Sequence, residues 1–145
     1  MDLRTSAPRS AKDRLAGLVS FKRVIDKAKA HNEGHLGEYD YDCPHDKPLF
    51  AFLGTTGDAF AARVKDLDTD DEIAAWVQAD FLSKKSQAEI DAFNDARMKW
   101  HPDDHSIGYF NDLRDKVAPG RTDVVTWFDL LDLDEGRPVP EPTQL

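Results

Sequence analysis

Residues 121–134 read RTDVVTWFDLLDLD, and the fold class turns on this stretch. Seven of the ten residues from Val124 to Leu133 are apolar. At helical spacing they leave no continuous polar face, the pattern of a helix immersed in a bundle. Thr122 or Asp123 can cap its start after the Pro119-Gly120 break, and Gly136 and Pro138 mark its end. The stretch therefore predicts a buried C-terminal helix on which the other helices pack.

The rest of the chain supplies those helices. Ser10 and Asp13 resemble a capping box, followed by Leu15, Leu18, Phe21, Ile25 and Ala28 at helical spacing, with a bend at Gly17. Leu49 to Leu53 forms a short apolar helix stopped by Gly54. Thr56 or Asp58 opens a further helix, Thr69 with Glu72 another, and Ser86 with Glu89 a third that must end at Pro102. Ser106 opens the next, with Ile107, Phe110, Leu113 and Val117 turned inward. Residues 34–48 alternate aromatic and acidic side chains between glycines and prolines, and predict an ordered loop pinned by Tyr39 and Tyr41. No paired β-branched alternation suggests a sheet. The expectation is one all-α domain over 1–145 with about six to seven short helices, an extended N-terminal segment (1–9) and a Pro-rich tail (135–145).

Composition limits the partners. The 145 residues carry 28 acidic and 19 basic side chains, a formal net charge of −9. Such a field repels nucleic-acid phosphates and anionic headgroups, so neither nucleic acid nor a membrane is expected as a partner. No run reaches the ~20 apolar residues of a spanning helix. The single cysteine, Cys43, excludes an intramolecular disulfide and fits a reducing compartment, so the expected location is cytoplasmic. There is neither GxxxxGK[ST] nor GxGxxG, and no cofactor is expected.

Three stretches also carry a resemblance: DLRTSAPRS near the start, LGEY with Cys43-Pro44 in the loop, and GRTDVVTWFDLLDLDEGRP near the end. Together they resemble an uncharacterised bacterial family, domain of unknown function 5069, over nearly the whole chain. The resemblance brings no reaction, ligand or partner. It implies that the three stretches meet in space. The family's loop pattern places an aliphatic residue where this chain has His45, which weighs against any mechanism requiring that histidine.

Several residues qualify as candidate chemistry. Thr126, Asp129 and Asp132 share one row of the apolar helix. A carboxylate immersed there must be paired, hydrogen-bonded or protonated, and Arg4 and Arg121 are the expected partners. Arg4, Arg121, Asp123, Thr126 and Asp129 then either line a polar pocket for a small anionic ligand or form an ion pair that locks the N-terminal segment down. Tyr39, Cys43 and Asp129 are the catalytic candidates. Cys43 would need His45 as its base, oriented by Asp46; the plainer role is a buried, inert thiol. His31, His35, His45, His101 and His105 offer only weak metal candidacy, since no HExxH or CxxC spacing occurs. Asp66-x-Asp68-x-Asp70 starts like a calcium loop, but Asp71 stands where the turn glycine belongs and Val77 where the bidentate glutamate belongs.

The sequence thus leaves function between two classes. One is an acidic helical binding or adaptor module, with an unknown protein as partner. The other is a small enzyme or small-molecule binder whose polar pocket, built from the 1–10, 36–46 and 120–132 segments, holds an anionic ligand.

Overall fold

The computed structural model describes residues 1–142. Among them are seven α-helices, one short 3-10 helix and no strand. The helices are α1 (Phe21–Glu33), α2 (Lys47–Leu53), α3 (Gly57–Lys65), α4 (Asp70–Asp80), α5 (Gln87–Met98), α6 (Ile107–Val117) and α7 (Trp127–Asp134). The chain divides into two compact units, 1–94 and 95–145, with the boundary inside α5. No helix among the described residues is long and apolar enough to cross a membrane.

The first unit is built on α1, which packs against α3. Phe21, Val24, Ile25 and Ala28 form its apolar face and are fully buried with Phe50, Phe60, Val64 and Ile73. Four caps form where the sequence places them. The Thr56 hydroxyl accepts from the Ala59 amide, and the Thr69 hydroxyl accepts from the Glu72 amide. Ser86 and Glu89 cap each other reciprocally. Gly54 ends α2 at φ +83°, in the left-handed region that suits glycine.

The first helix begins later than its apolar period suggests. Leu15 and Leu18 exchange both backbone hydrogen bonds, at 3.1 and 2.9 Å, around Ala16 and Gly17. Both of these residues have positive φ, 52° and 76°, the mark of a tight two-residue turn. Asn94 clamps the turn, accepting from the Val19 amide at 3.1 Å and donating to the Gly17 carbonyl at 2.7 Å. Residues 10–20 are therefore a pinned turn, and α1 starts at Phe21.

The opposite side of α1 is charged yet buried. Arg23, Asp26 and Lys27 are 4%, 5% and 3% exposed, because irregular segments cover them. Arg9 forks onto Asp26 through Nε and Nη2, both at 3.0 Å, and onto Asp70 through Nη1 and Nη2 at 2.6 and 3.1 Å. One guanidinium thus ties the N-terminal segment to α1 and α4. Its hydrogen bonds hold the Asp70 carboxyl below the ordinary carboxylate range. A group lowered in the folded state stabilises above the unfolded value of about 4 and loses that contribution as pH falls through the folded value. Asp70→Asn should therefore lower stability at pH 7 and narrow its gap to wild type below pH ~4, as read from urea melts across pH.

The second unit holds a smaller core: Phe110, Val124, Trp127, Leu130 and Val139, with α6 packed on α7. The predicted C-terminal helix gives Trp127 and Leu130 to this core and is shorter than its apolar run. Thr126, not Thr122 or Asp123, is its N-cap, accepting from the Asp129 amide. Val124 is buried ahead of the helix, whereas Val125 is 55% exposed. The Pro-rich tail is described as far as residue 142; the rest of that expectation lies outside the described residues. Val139 within it plugs the core at 8% exposure, and Arg121 donates to the Pro140 carbonyl at 3.4 Å.

Candidate functional site

The residues singled out in sequence divide between the units: Arg4, Tyr39 and Cys43 in the first, Arg121, Asp123, Thr126 and Asp129 in the second. In the first unit the N-terminal and loop motifs do meet. The Leu3 amide donates to the His35 carbonyl at 2.9 Å, and a Cβ on Gly37 would fall 2.9 Å from the Leu3 carbonyl. Gly37 is thus required both by this close approach and by its φ of +61°.

Arg4 is spent locally on Asp2, through Nε at 3.0 Å and Nη2 at 2.9 Å, and it holds that exposed carboxyl down at about 2. Tyr39 lies under the Arg23 guanidinium, 5.7 Å from centroid to carbon. Tyr41 donates to the Gly57 carbonyl at 2.8 Å and stacks on His31. Burial pushes its phenol well above the ordinary value, with Asp46 adding to the effect.

Cys43 stands 3.4 Å from the Lys27 ammonium. That ammonium meets both oxygens of Asp46 at 2.9 Å, with side chains only 4% and 2% exposed. Asp46 also accepts from the Asp42 amide, so its oxygens hold Lys27 and the loop backbone. This buried pair, absent from the sequence reading, fixes the geometry around Cys43.

In the second unit Arg121 and Asp123 form a bidentate pair at 2.9 and 3.0 Å. Arg121 is raised chiefly by this bond, with a smaller contribution from the charge of Asp129. Asp129 is half-buried in the first turn of α7, where a helix N-terminus favours an anion. The deeply buried carboxylate of α7 is instead Asp132, 5% exposed and 3.8 Å from Arg137.

The histidines do not gather. His35 pairs with Glu33, His101 Nδ1 lies 3.2 Å from the Lys99 carbonyl, and the His105 amide donates to Asp103. Among the described residues no three His, Cys, Asp or Glu side chains are grouped to hold a metal ion.

What the second unit does hold is a cavity of ≈ 320 Å³ between the end of α5, α6 and the turn before α7. This is the lower end of ligand-sized pockets. Its apolar lining comes from Pro102, Ile107, Phe110 and Val125. Ile107, expected in the core, is 42% exposed beside it. The polar lining is Lys99, His101, Asn111, Arg114 and Thr126, with no carboxylate. The walls are fixed: the Trp127 amide donates to the Trp100 carbonyl at 3.0 Å, and the Phe110 ring meets Trp127 edge-on at 5.0 Å. The Lys99 carbonyl can only accept, so His101 carries its hydrogen on Nδ1. Near the same turn, Arg97 is 8% exposed, with its guanidinium 4.1 Å over Trp100 and 5.9 Å from Phe128. Sequence reasoning missed this cavity; the only local signals were Pro102 and an apolar Val125 placed just ahead of the Thr126 cap.

Seven helices among the described residues, a net negative charge and an apolar cavity with a basic rim define an all-α protein of two compact units. The chain belongs to the family described as domain of unknown function (DUF5069), matched over residues 5–137. No curated protein matches the chain.

Proposed function

We propose that the chain is a non-catalytic binding module and that the cavity of the second unit is its binding site. The observation that carries this reading is apolar surface left open at a walled cavity, with Ile107 and Val125 at 42% and 55% exposure. Soluble proteins seldom leave contiguous apolar surface uncovered without a binding role. The lining also argues against turnover. It contains no thiol and no carboxylate, and its one hydroxyl, that of Thr126, caps α7, so no activated nucleophile stands in it. A nucleophile needs a base within hydrogen-bond reach, itself oriented by a third group. One family match spanning both units supports treating 1–145 as a single domain, and the free Cys43 supports a reducing, cytoplasmic setting.

The test is amide chemical-shift mapping with indole as a neutral apolar probe. Shifts should concentrate on Ile107, Phe110, Asn111 and Val125, and Val125→Trp should abolish them by filling the cavity. Val125 is exposed enough for that change to leave the fold intact. Shifts scattered over the surface, or unaltered by the tryptophan, would refute the site.

A further inference from the structure

The cavity's charge names its ligand more closely, an inference that rests on the binding-site reading above. A protein of net charge −9 places Lys99, His101 and Arg114 on this wall and no acid. Arg114 is held rigidly: its side chain is 11% exposed, Nε lies 3.3 Å from Asp115, and Nη1 donates to the Val124 carbonyl at 3.3 Å. Its Nη2 has no protein acceptor among the described residues. The Asn111 side-chain amide likewise makes no hydrogen bond among the described residues. Lys99 is engaged only at the surface, by Asp95 at 3.0 Å, in a pair too exposed to cancel its field.

A basic rim around an apolar floor fits an amphipathic anion. Two anionic head groups compete, carboxylate and phosphate. A phosphate is best held by several free backbone amides at a helix start. Here Asp103 has already filled that role at α6. Its carboxylate accepts from the His105 and Ser106 amides and from the Ser106 hydroxyl, and the Asp103 carbonyl takes the Ile107 amide. These bonds, led by that of the Ser106 side chain, keep the Asp103 carboxyl ionised below its usual range. What remains is the Nη2 group of Arg114 and the Asn111 amide, one donor for each oxygen of a planar monocarboxylate.

We propose that the cavity binds a small monocarboxylate with an apolar body, its carboxylate on Arg114 and Asn111 and its body on Ile107, Phe110 and Val125.

Calorimetric titration with three probes separates the outcomes: 4-phenylbutyrate, its neutral analogue 4-phenylbutanol, and phenyl phosphate. The butyrate should bind at one site at least about tenfold more tightly than the alcohol, the scale of a charge-assisted hydrogen bond. Arg114→Gln should erase that advantage and leave the alcohol's affinity unchanged. Asn111→Leu, which leaves the arginine network intact, should reduce the advantage in the same direction. Equal affinities for acid and alcohol would overturn the carboxylate assignment while leaving the apolar site standing. Tighter binding of phenyl phosphate would overturn it in favour of the other anion. Failure of all three probes would sink the binding-site reading itself.

Discussion

Replacing Asp46 by alanine should cost about 3–5 kcal/mol of folding stability, enough to leave the first unit barely folded. The reason lies in what stays behind. Lys27 is 3% exposed, and its ammonium takes both Asp46 oxygens at 2.9 Å. Without the carboxylate that charge has, among the described residues, only the Cys43 sulfur at 3.4 Å within reach. The Asp42 amide loses its acceptor as well. An ammonium stranded this way has its folded pKa pushed below the unfolded value of about 10.4. The unfolded chain then binds more protons, so stability rises with pH. The deficit of Asp46→Ala should therefore shrink toward pH ~10.

The pair as a whole is worth far less than either loss implies. Two charges taken out of water repay their desolvation only narrowly, and apolar replacements of similar size are often neutral or better. Lys27→Met with Asp46→Leu should accordingly recover most of the single variant's deficit. Urea melts of the single and double variants check both statements. A single variant within ~1 kcal/mol of wild type would mean that water reaches Lys27.

The same pair shows what the sequence could convey and what it could not. Caps are short-range: Thr56, Thr69 and Ser86 each bond within three residues, so their spacing is legible. The apolar face of α1 is legible too, because period alone defines it. Its charged face is not. Arg23, Asp26 and Lys27 stand three and four apart, which reads as a solvated stripe. They are buried by the N-terminal segment and the 39–46 loop, irregular stretches without a period to betray their path. The start of α1 was hidden for a related reason: a single glycine at 17 signals a bend, but only the left-handed Ala16 beside it makes a closed turn. The cavity was invisible because it is a tertiary gap. Ile107 follows the inward period of α6 and still lies open, since nothing among the described residues covers it.

The other large effect is expected at Phe60, where Phe60→Ala should cost about 3–5 kcal/mol. Phe60 is fully buried at the junction of four helices of the first unit. Its ring centroid lies 6.3 Å from Phe21 of α1, 5.3 Å from Phe50 of α2 and 5.6 Å from Trp76 of α4. Truncation loses the transfer free energy of the ring and leaves a void bounded by three other rings. Those rings are held by separate helices, so the void cannot close by one side chain swinging in. Phe60→Leu should retain most of the burial and lose chiefly the ring–ring geometry, worth roughly 0.5–1.5 kcal/mol per aromatic pair. Tyr109→Ala, at a ring 66% exposed on α6, should fall within about ±0.5 kcal/mol of wild type. The measurement is urea unfolding followed by far-ultraviolet circular dichroism and by tryptophan emission, to which Trp76, packed on Phe60, contributes. An alanine deficit below 2 kcal/mol would mean that the four helices close on the vacancy, and the first unit's core would then be packed by volume rather than by shape.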